Sequence, residues 1–233
     1  MLDDIAKEYV VEKDYDKVNT ILGHKVIQSY LSDSKTVLEV GSADGVMTRL
    51  LRNECKVLDV VEPSKIYADQ VRLIDGVRSV YNCFLEDIRE PVQYDVVLLM
   101  GLLHHIEKPE EFLNTVKKFI ASNGVVLATV PNVNSIHRQI GVEMGLLDNI
   151  KGSSERNIRF QQFGRFTKNT FTELFQQSTY EVIDSYGYMF KPFSSEMMMK
   201  LDLTEEQIKA LFIIGKKYQD MCSQLFVAAM PNE

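Results

Sequence analysis

Thr36-Val-Leu-Glu-Val-Gly-Ser-Ala-Asp-Gly-Val-Met-Thr-Arg-Leu50 reads as a short buried strand, a tight glycine turn and the start of a helix. A turn of this kind brings bare backbone against a bound cofactor. About twenty residues on, a second apolar run, Val57 to Val61, ends in Glu62. A carboxylate at that spacing can accept hydrogen bonds from the two hydroxyls of a ribose. The pair points to an adenosine-containing cofactor. A dinucleotide site asks for G-x-G-x-x-G, but counted from Gly41 the later glycine positions fall on Ala43 and Val46. A pyrophosphate would meet Cβ atoms there. S-adenosylmethionine (SAM) has no pyrophosphate, and its methionine tail tolerates a looser bend. An acid before the turn, Glu39, suits its ammonium. SAM is therefore the expected cofactor, with a nicotinamide dinucleotide as the distant alternative.

Outward from this turn, strands and helices alternate, as in a doubly wound parallel sheet. Strands are expected at Val37–Val40, Val57–Val61, Arg78–Tyr81, Tyr94–Met100, Val125–Val130, Tyr180–Tyr186 and Leu225–Ala229. The near-continuous apolar run Tyr94–Met100 fits a central parallel strand. Proline after Glu62 halts the second strand. Helices are expected after the turn to Leu51, from Ser64 to Leu73, and over Glu110–Ile120, Thr170–Gln177 and Leu203–Met221, with Ser122-Asn-Gly124 closing the third of these. Residues 1–31 read as a helical cap on a single domain spanning 1–233. Residues 132–168 are too long for an ordinary connection and read as a lid or acceptor-binding insertion.

The chain has 233 residues, 45% hydrophobic, and a net charge of −7, which disfavours nonspecific nucleic-acid binding. Three scattered cysteines give neither a zinc pattern nor a disulfide framework. The charged start and the lack of a long apolar run point to a cytoplasmic protein that neither enters nor crosses a membrane. A homodimer is left open.

Val37 to Gly45, Val61-Glu-Pro-Ser64, Tyr94-Asp-Val-Val97, Leu103-His-His-Ile-Glu107 and Ser122-Asn-Gly-Val125 together resemble the class I SAM-dependent methyltransferases. That resemblance implies a Rossmann-like α/β fold. Its seven-stranded, mostly parallel sheet has the order 3-2-1-4-5-7-6, strand seven antiparallel, with helices on both faces. A narrower resemblance, over Val130 to Leu147, Phe190-Lys-Pro-Phe-Ser194 and Ile214-Gly-Lys-Lys-Tyr218, is to methyltransferases of bacterial capsule and O-antigen clusters. Ser42, His104 and Cys83 depart from the cysteine, glutamate and aspartate common in relatives. With Cys83 in that place, the adenine contact is expected from backbone near Phe84 and from Glu86 or Asp87.

Methyl transfer from a sulfonium is an in-line displacement, so positioning dominates and a base is an addition. The expected cofactor set is Glu39, Gly41, Ser42, Gly45, Glu62, Pro63, Phe84, Glu86, Met100 and Gly101. His104 and His105, after the central strand, and His137, after the next, are the candidate bases; His24 reads as a packing residue. Tyr9, Tyr15, Tyr186 and Tyr188 are candidate pocket aromatics. The insertion carries six cations against three anions. Arginine forks suit phosphates and carboxylates, so Arg138 is expected to hold a small anionic acceptor. No acidic or amide ligands follow Met100, which argues against a metal. No alkoxide-forming pair is visible, which tips the expectation from O- towards N-methylation. A quinone-type O-methyltransferase and a non-catalytic SAM-binding subunit are the alternatives.

Overall fold

The computed structural model describes residues 2–232. Its centre is a seven-stranded sheet in the order β3-β2-β1-β4-β5-β7-β6. The strands are β1 (Ser32–Val40), β2 (Cys55–Val61), β3 (Val77–Tyr81), β4 (Tyr94–Met100), β5 (Ile120–Pro131), β6 (Tyr180–Tyr188) and β7 (Gln224–Pro231). The first five pair in parallel, and β7 runs antiparallel to both β5 and β6. This is the order and orientation that the family resemblance implied.

Both faces of the sheet are covered, because consecutive residues of each central strand are apolar and point to opposite faces. Leu38, Val97, Leu99, Val126, Ala128 and Val227 pack on one face, with Phe112, Leu113 and Val116 of α5 (Pro109–Val116) and Phe171, Leu174 and Phe175 of α8 (Lys168–Gln177). Val37, Val96, Leu98, Leu127, Phe226 and Ala228 pack on the other. There they meet Leu22, Val26 and Ile27 of α2 (Asp16–Ile27), Met47 and Leu51 of α3 (Val46–Leu51) and Val71 of α4 (Lys65–Val71). Central strands buried on both faces need such continuous apolar runs.

The N-terminal segment holds α1 (Leu2–Glu8) and α2. It lies over the turn after β1: Glu12 N donates to Asp44 Oδ2 at 3.0 Å, and Ser64 Oγ donates to Asp3 Oδ1 at 2.7 Å. Between β5 and α8 the chain forms α6 (Ile136–Glu143) and α7 (Glu155–Arg159), and an isolated bridge joins Asn132 to Phe166. After β6 come α9 (Ser195–Lys200) and α10 (Glu205–Gly215).

Several boundaries differ from the sequence expectation: β1 begins at Ser32 and not Val37, α5 ends at Val116 and not Ile120, and two more differences fall at glycines. Ser122-Asn-Gly124 is no loop. It is a bulge inside β5, where Tyr94 opposes Ile120 and Val96 opposes Val125. Gly124 allows the approach, since a Cβ there would lie 2.8 Å from Tyr94 O. The last helix stops at Gly215, not Met221, and a 3-10 turn covers Gln219–Met221. At its end the helix packs closely on the β6–α9 loop, where a Cβ on residue 215 would lie 2.8 Å from Met189 N.

Candidate active site

The turn after β1 is built from left-handed residues. Gly41, Ala43 and Gly45 have φ of 78°, 46° and 79°. At Gly45 a Cβ would meet Ile74 Cδ1 at 2.7 Å and Val71 Cγ2 at 3.2 Å. Gly45 thus faces the packing between helices and is absent from the wall of the large cavity at the carboxyl edge of the sheet, where it had been expected.

Glu62, at the end of β2, is only 5% exposed. Its Oε2 accepts from Ser42 N at 3.0 Å, Ala43 N at 3.1 Å and Ser42 Oγ at 3.4 Å, and its Oε1 accepts from Ser64 N at 2.9 Å. A carboxylate has about four lone-pair sites. Glu62 is therefore first a strap that fixes the turn, with Oε1 the freer oxygen for a ribose hydroxyl. Burial raises its pKa above the usual carboxylate value against the pull of these bonds. Glu39, one strand over, is fully desolvated, and burial pushes its pKa up to about 8, opposed by Thr48 Oγ1 donating to it at 2.6 Å.

The cavity has a volume of about 1250 Å³ and is bounded by the sheet edge, the N-terminal segment, the 132–168 insertion and the β6–α9 loop. Of the expected cofactor set, Glu39, Gly41, Ser42, Glu62, Pro63, Met100 and Gly101 line it. So do His104, His105, His137, Tyr9, Arg138 and Tyr188. Six expected residues do not: Gly45, Phe84, Glu86, Asp87, Tyr15 and Tyr186, the last of which packs on Phe226 at 5.1 Å between ring centroids. Phe84 and Glu86 stand exposed beyond β3, Phe84 with 55% of its surface free. Tyr15 is 2% exposed and packed in the core under α2.

The cavity end under Gly41, Ser42, Gly101 and Glu62 fits an adenosyl sulfonium ligand. Gly41, Ser42 and Ala43 all line the cavity, and at Gly101 (φ 68°) a Cβ would meet nothing within 4 Å. Gly101 N is fixed by Thr129 O and Oγ1, both at 3.0 Å. Gly23 of α2 does a different job: it lets the helix pack closely on the cavity wall. A Cβ there would lie 3.1 Å from Met100 Cε and 3.3 Å from Tyr188 Oη. Sequence reading passed over Gly23, although glycine inside a helix costs about 1 kcal/mol and so marks a close approach.

At the other end the three histidines are uncharged. Burial, helped by the charges of Lys191 and Arg138, pushes His137 down to about 2. Burial and neighbouring His105 hold His104 well below the ordinary imidazole value, and burial also lowers His105. His104 and His105 stack at 4.1 Å between centroids, and Nδ1 of His104 and of His137 has no hydrogen-bond partner. A base works best with a pKa near the working pH, so His137 is a weak base and a better positioning group. His24, read as packing, is buried and bonded to Glu54 at 2.8 Å.

Five of the insertion's six cations are already engaged. Arg138 Nε donates to Ile150 O at 2.8 Å, and its Nη2 donates to Gly152 O. Arg156 pairs with Asp14 at 3.0 Å and Asp16 at 2.7 Å. Arg159 pairs with Glu8 at 2.7 Å and Lys168 with Asp220 at 3.0 Å. Arg165 donates to Gln162 O and Ser153 Oγ. Arg138, the candidate for an anionic acceptor, lines the cavity, with Nε and Nη2 of its fork engaged by carbonyls of its own insertion. The acids that neutralise Arg156 and Arg159 come from residues 8–16, far away in sequence.

Sequence reading also missed Lys191 and Asp16. Asp16 accepts from Tyr9 Oη at 2.6 Å and from Asn19 Nδ2 at 2.9 Å, as well as from Arg156. Lys191 is 5% exposed, and burial pushes it down to about 8. Its only sequence signal was its place in Phe190–Ser194. Among the described residues no cluster of three His, Cys, Asp or Glu groups is arranged to hold a metal, and no helix is long and apolar enough to cross a membrane.

Comparison with known proteins agrees with this geometry. A family model described as a methyltransferase domain matches residues 16–185. The chain is 25% identical, over 72% of its length and 74% of the relative's, to a ubiquinone biosynthesis O-methyltransferase of Paraburkholderia phytofirmans. Among solved structures, a Thermotoga maritima SAM-dependent methyltransferase, described as a possible histamine N-methyltransferase, superposes with a TM-score of 0.68. It is 15% identical, and the match covers 99% of this chain and 97% of that one. The plantazolicin methyltransferase BamL, solved with S-adenosylhomocysteine (SAH), superposes with a TM-score of 0.62 at 14% identity, covering 96% and 88%. With the sheet order, the glycine turn and the domain match in agreement, the chain belongs to the SAM-dependent methyltransferase family.

Proposed function

We propose that this enzyme transfers the methyl group of SAM to a hydroxyl of a small acceptor with an apolar body. The observation that carries this reading is the cavity. Single-ligand pockets span about 300–1,000 Å³, and this one is larger, with a second end beyond the cofactor turn. Ile140, Met144 and Leu147 of the insertion and Phe193 of the β6–α9 loop line the cavity, and the insertion's arginines are already engaged. Arg138 and Arg156 balance Asp14 and Asp16 there, and burial loosens the proton of Lys191, so this end offers no net negative charge to hold a protonated amine, and its apolar lining suits an uncharged hydroxyl acceptor. This reverses the tilt towards nitrogen drawn from the sequence. The O-methyltransferase relative supports the same reading. A surface-glycan setting rests on the resemblance of three segments, and the cavity adds nothing to it.

SAM supplies a methyl group already activated by the sulfonium charge. The chain's own part is to bind, align and exclude water. Gly41 to Ala43, strapped by Glu62, would hold the methionine portion, and Gly101 and Met100 would line the adenosyl path. His104, His105 and His137, all neutral, would orient the acceptor. Residues 132–168 and the N-terminal segment, joined by Arg156 and Arg159, would act as a lid over a single domain.

The test is methyl transfer from labelled SAM to a panel of phenols and alcohols with and without alkyl chains, nucleotide sugars, sugar phosphates and amines. Turnover of hydroxyl acceptors that improves with the apolar chain is expected. Turnover confined to amines or to phosphorylated sugars would sink the reading.

A further inference from the structure

The acceptor end contains a buried amine that positioning of the cofactor does not use. Lys191 sits between β6 and α9 and lines the cavity although it is almost fully enclosed. Its Nζ donates to Ser195 Oγ at 3.0 Å and lies 5.4 Å from the centroid of the Tyr15 ring. The charged and titratable groups around it are Asp14 and Asp16 from the N-terminal segment, Arg156 from α7 and His137 from α6. Both carboxylates are engaged by Arg156. The amine therefore faces the cavity with one hydroxyl partner and with its counter-ions largely neutralised. A lysine so desolvated readily gives up its charge, which suits it for base chemistry.

We propose that Lys191 Nζ is the proton acceptor for the hydroxyl that is methylated, with Ser195 orienting the amine. This rests on the hydroxyl-acceptor reading above. The acceptor O–H bond breaks and its proton passes to the lone pair of neutral Lys191. The acceptor oxygen bonds the methyl carbon, and the carbon–sulfur electron pair stays on sulfur. Atoms and charge balance with no further reactant: the sulfonium charge is lost as the ammonium charge appears. The Lys191 ammonium faces Asp14 and Asp16 and then releases its proton to water. Burial depresses the amine to about 8. Activity is thus expected to rise with pH through that value and level off above it, since only the neutral amine accepts.

Two readouts separate this inference from the reading beneath it. NMR titration of labelled lysine side chains, with the Lys191 signal assigned by its loss in Lys191→Gln, reads the amine directly. Titration near 8 is expected, and titration at the ordinary 10.5 would overturn the proposal whatever the acceptor. In turnover, Lys191→Gln should lower kcat about 10²–10⁴-fold, leave the SAH Kd within about twofold, and remove the rising limb near pH 8. Added alkylamines should restore part of the rate of Lys191→Ala. An unchanged kcat and pH profile in Lys191→Gln would overturn the proposal. Failure of wild type to methylate any hydroxyl, with Lys191 titrating near 8, would overturn the acceptor reading instead.

Discussion

At the scale of single residues, burial raises the pKa of two carboxylates that differ in how many donors they hold. Glu62 accepts from the backbone of Ser42, Ala43 and Ser64, so removing it deprives both the cofactor and the turn. Hydrogen bonds to a charged group are worth about 1.5–3 kcal/mol each. Glu62→Ala is expected to weaken SAH binding about tenfold or more, measured calorimetrically, and also to lower Tm; weaker binding at unchanged Tm would deny the strap. Glu39 has one donor, Thr48, and its folded pKa of about 8 lies far above the 4.5 of an exposed glutamate. The folded state therefore binds its proton more tightly than the unfolded chain does. The stability this gives is full below about pH 4.5 and is lost as pH rises through about 8. Glu39→Gln keeps an acceptor for Thr48 and cannot ionise. Its Tm relative to wild type should improve from pH 5 to pH 9 in differential scanning calorimetry, and a constant difference would contradict the assignment.

At the scale of elements, the joint between α7 and the N-terminal segment decides how the cavity closes. Arg156 bridges Asp14 and Asp16 while lying 5.7 Å from the Tyr9 ring centroid and 5.2 Å from that of Phe160. Exposed pairs contribute about 0–1 kcal/mol and fully buried ones cost about 3–5 kcal/mol when broken; this half-buried cluster falls between them. Arg156→Ala is expected to raise the acceptor KM several-fold with less than twofold change in SAH Kd, because the cofactor turn lies on other elements. High salt should mimic part of that effect in wild type. Equal losses for both ligands would show that the joint supports the whole cavity and not the acceptor end.

At the scale of the whole molecule, the reversed strand β7 closes the core. Phe226 is fully buried, with ring centroids 5.1 Å from Tyr186 and 6.1 Å from Tyr30, so it joins β6 and the end of the N-terminal helices to the sheet. Phe226→Ala should cost about 3–5 kcal/mol, read as a fall in the denaturant midpoint. SAH affinity at low denaturant should stay near wild type, since the glycine turn lies across the sheet on β1. A loss below 1 kcal/mol would mean that the core re-forms around the missing ring.

Local chemistry made the fold and the cofactor end legible. Val37–Val40 and Tyr94–Met100 announced buried parallel strands by their unbroken apolar runs, and Gly41 and Glu62 announced the turn by their spacing. These signals work because each acts over a few residues of its own strand or turn. The bulge at Ser122–Gly124 and the helix end at Gly215 were hidden, and at each a carbonyl or amide comes close from another strand or loop. The acceptor end was hidden for the same reason. A cation count over residues 132–168 cannot show that Asp14, Asp16 and Glu8 come back to neutralise it. Nor can it show that Arg138 turns onto carbonyls of its own insertion. Lys191 has an ordinary sequence context, and only its enclosure beside Asp16, Tyr15 and His137 changes its chemistry. Sequence alone determined the sheet, the family and the methyl donor; long-range packing, which fixes desolvation and charge pairing, decided what the second half of the cavity can bind.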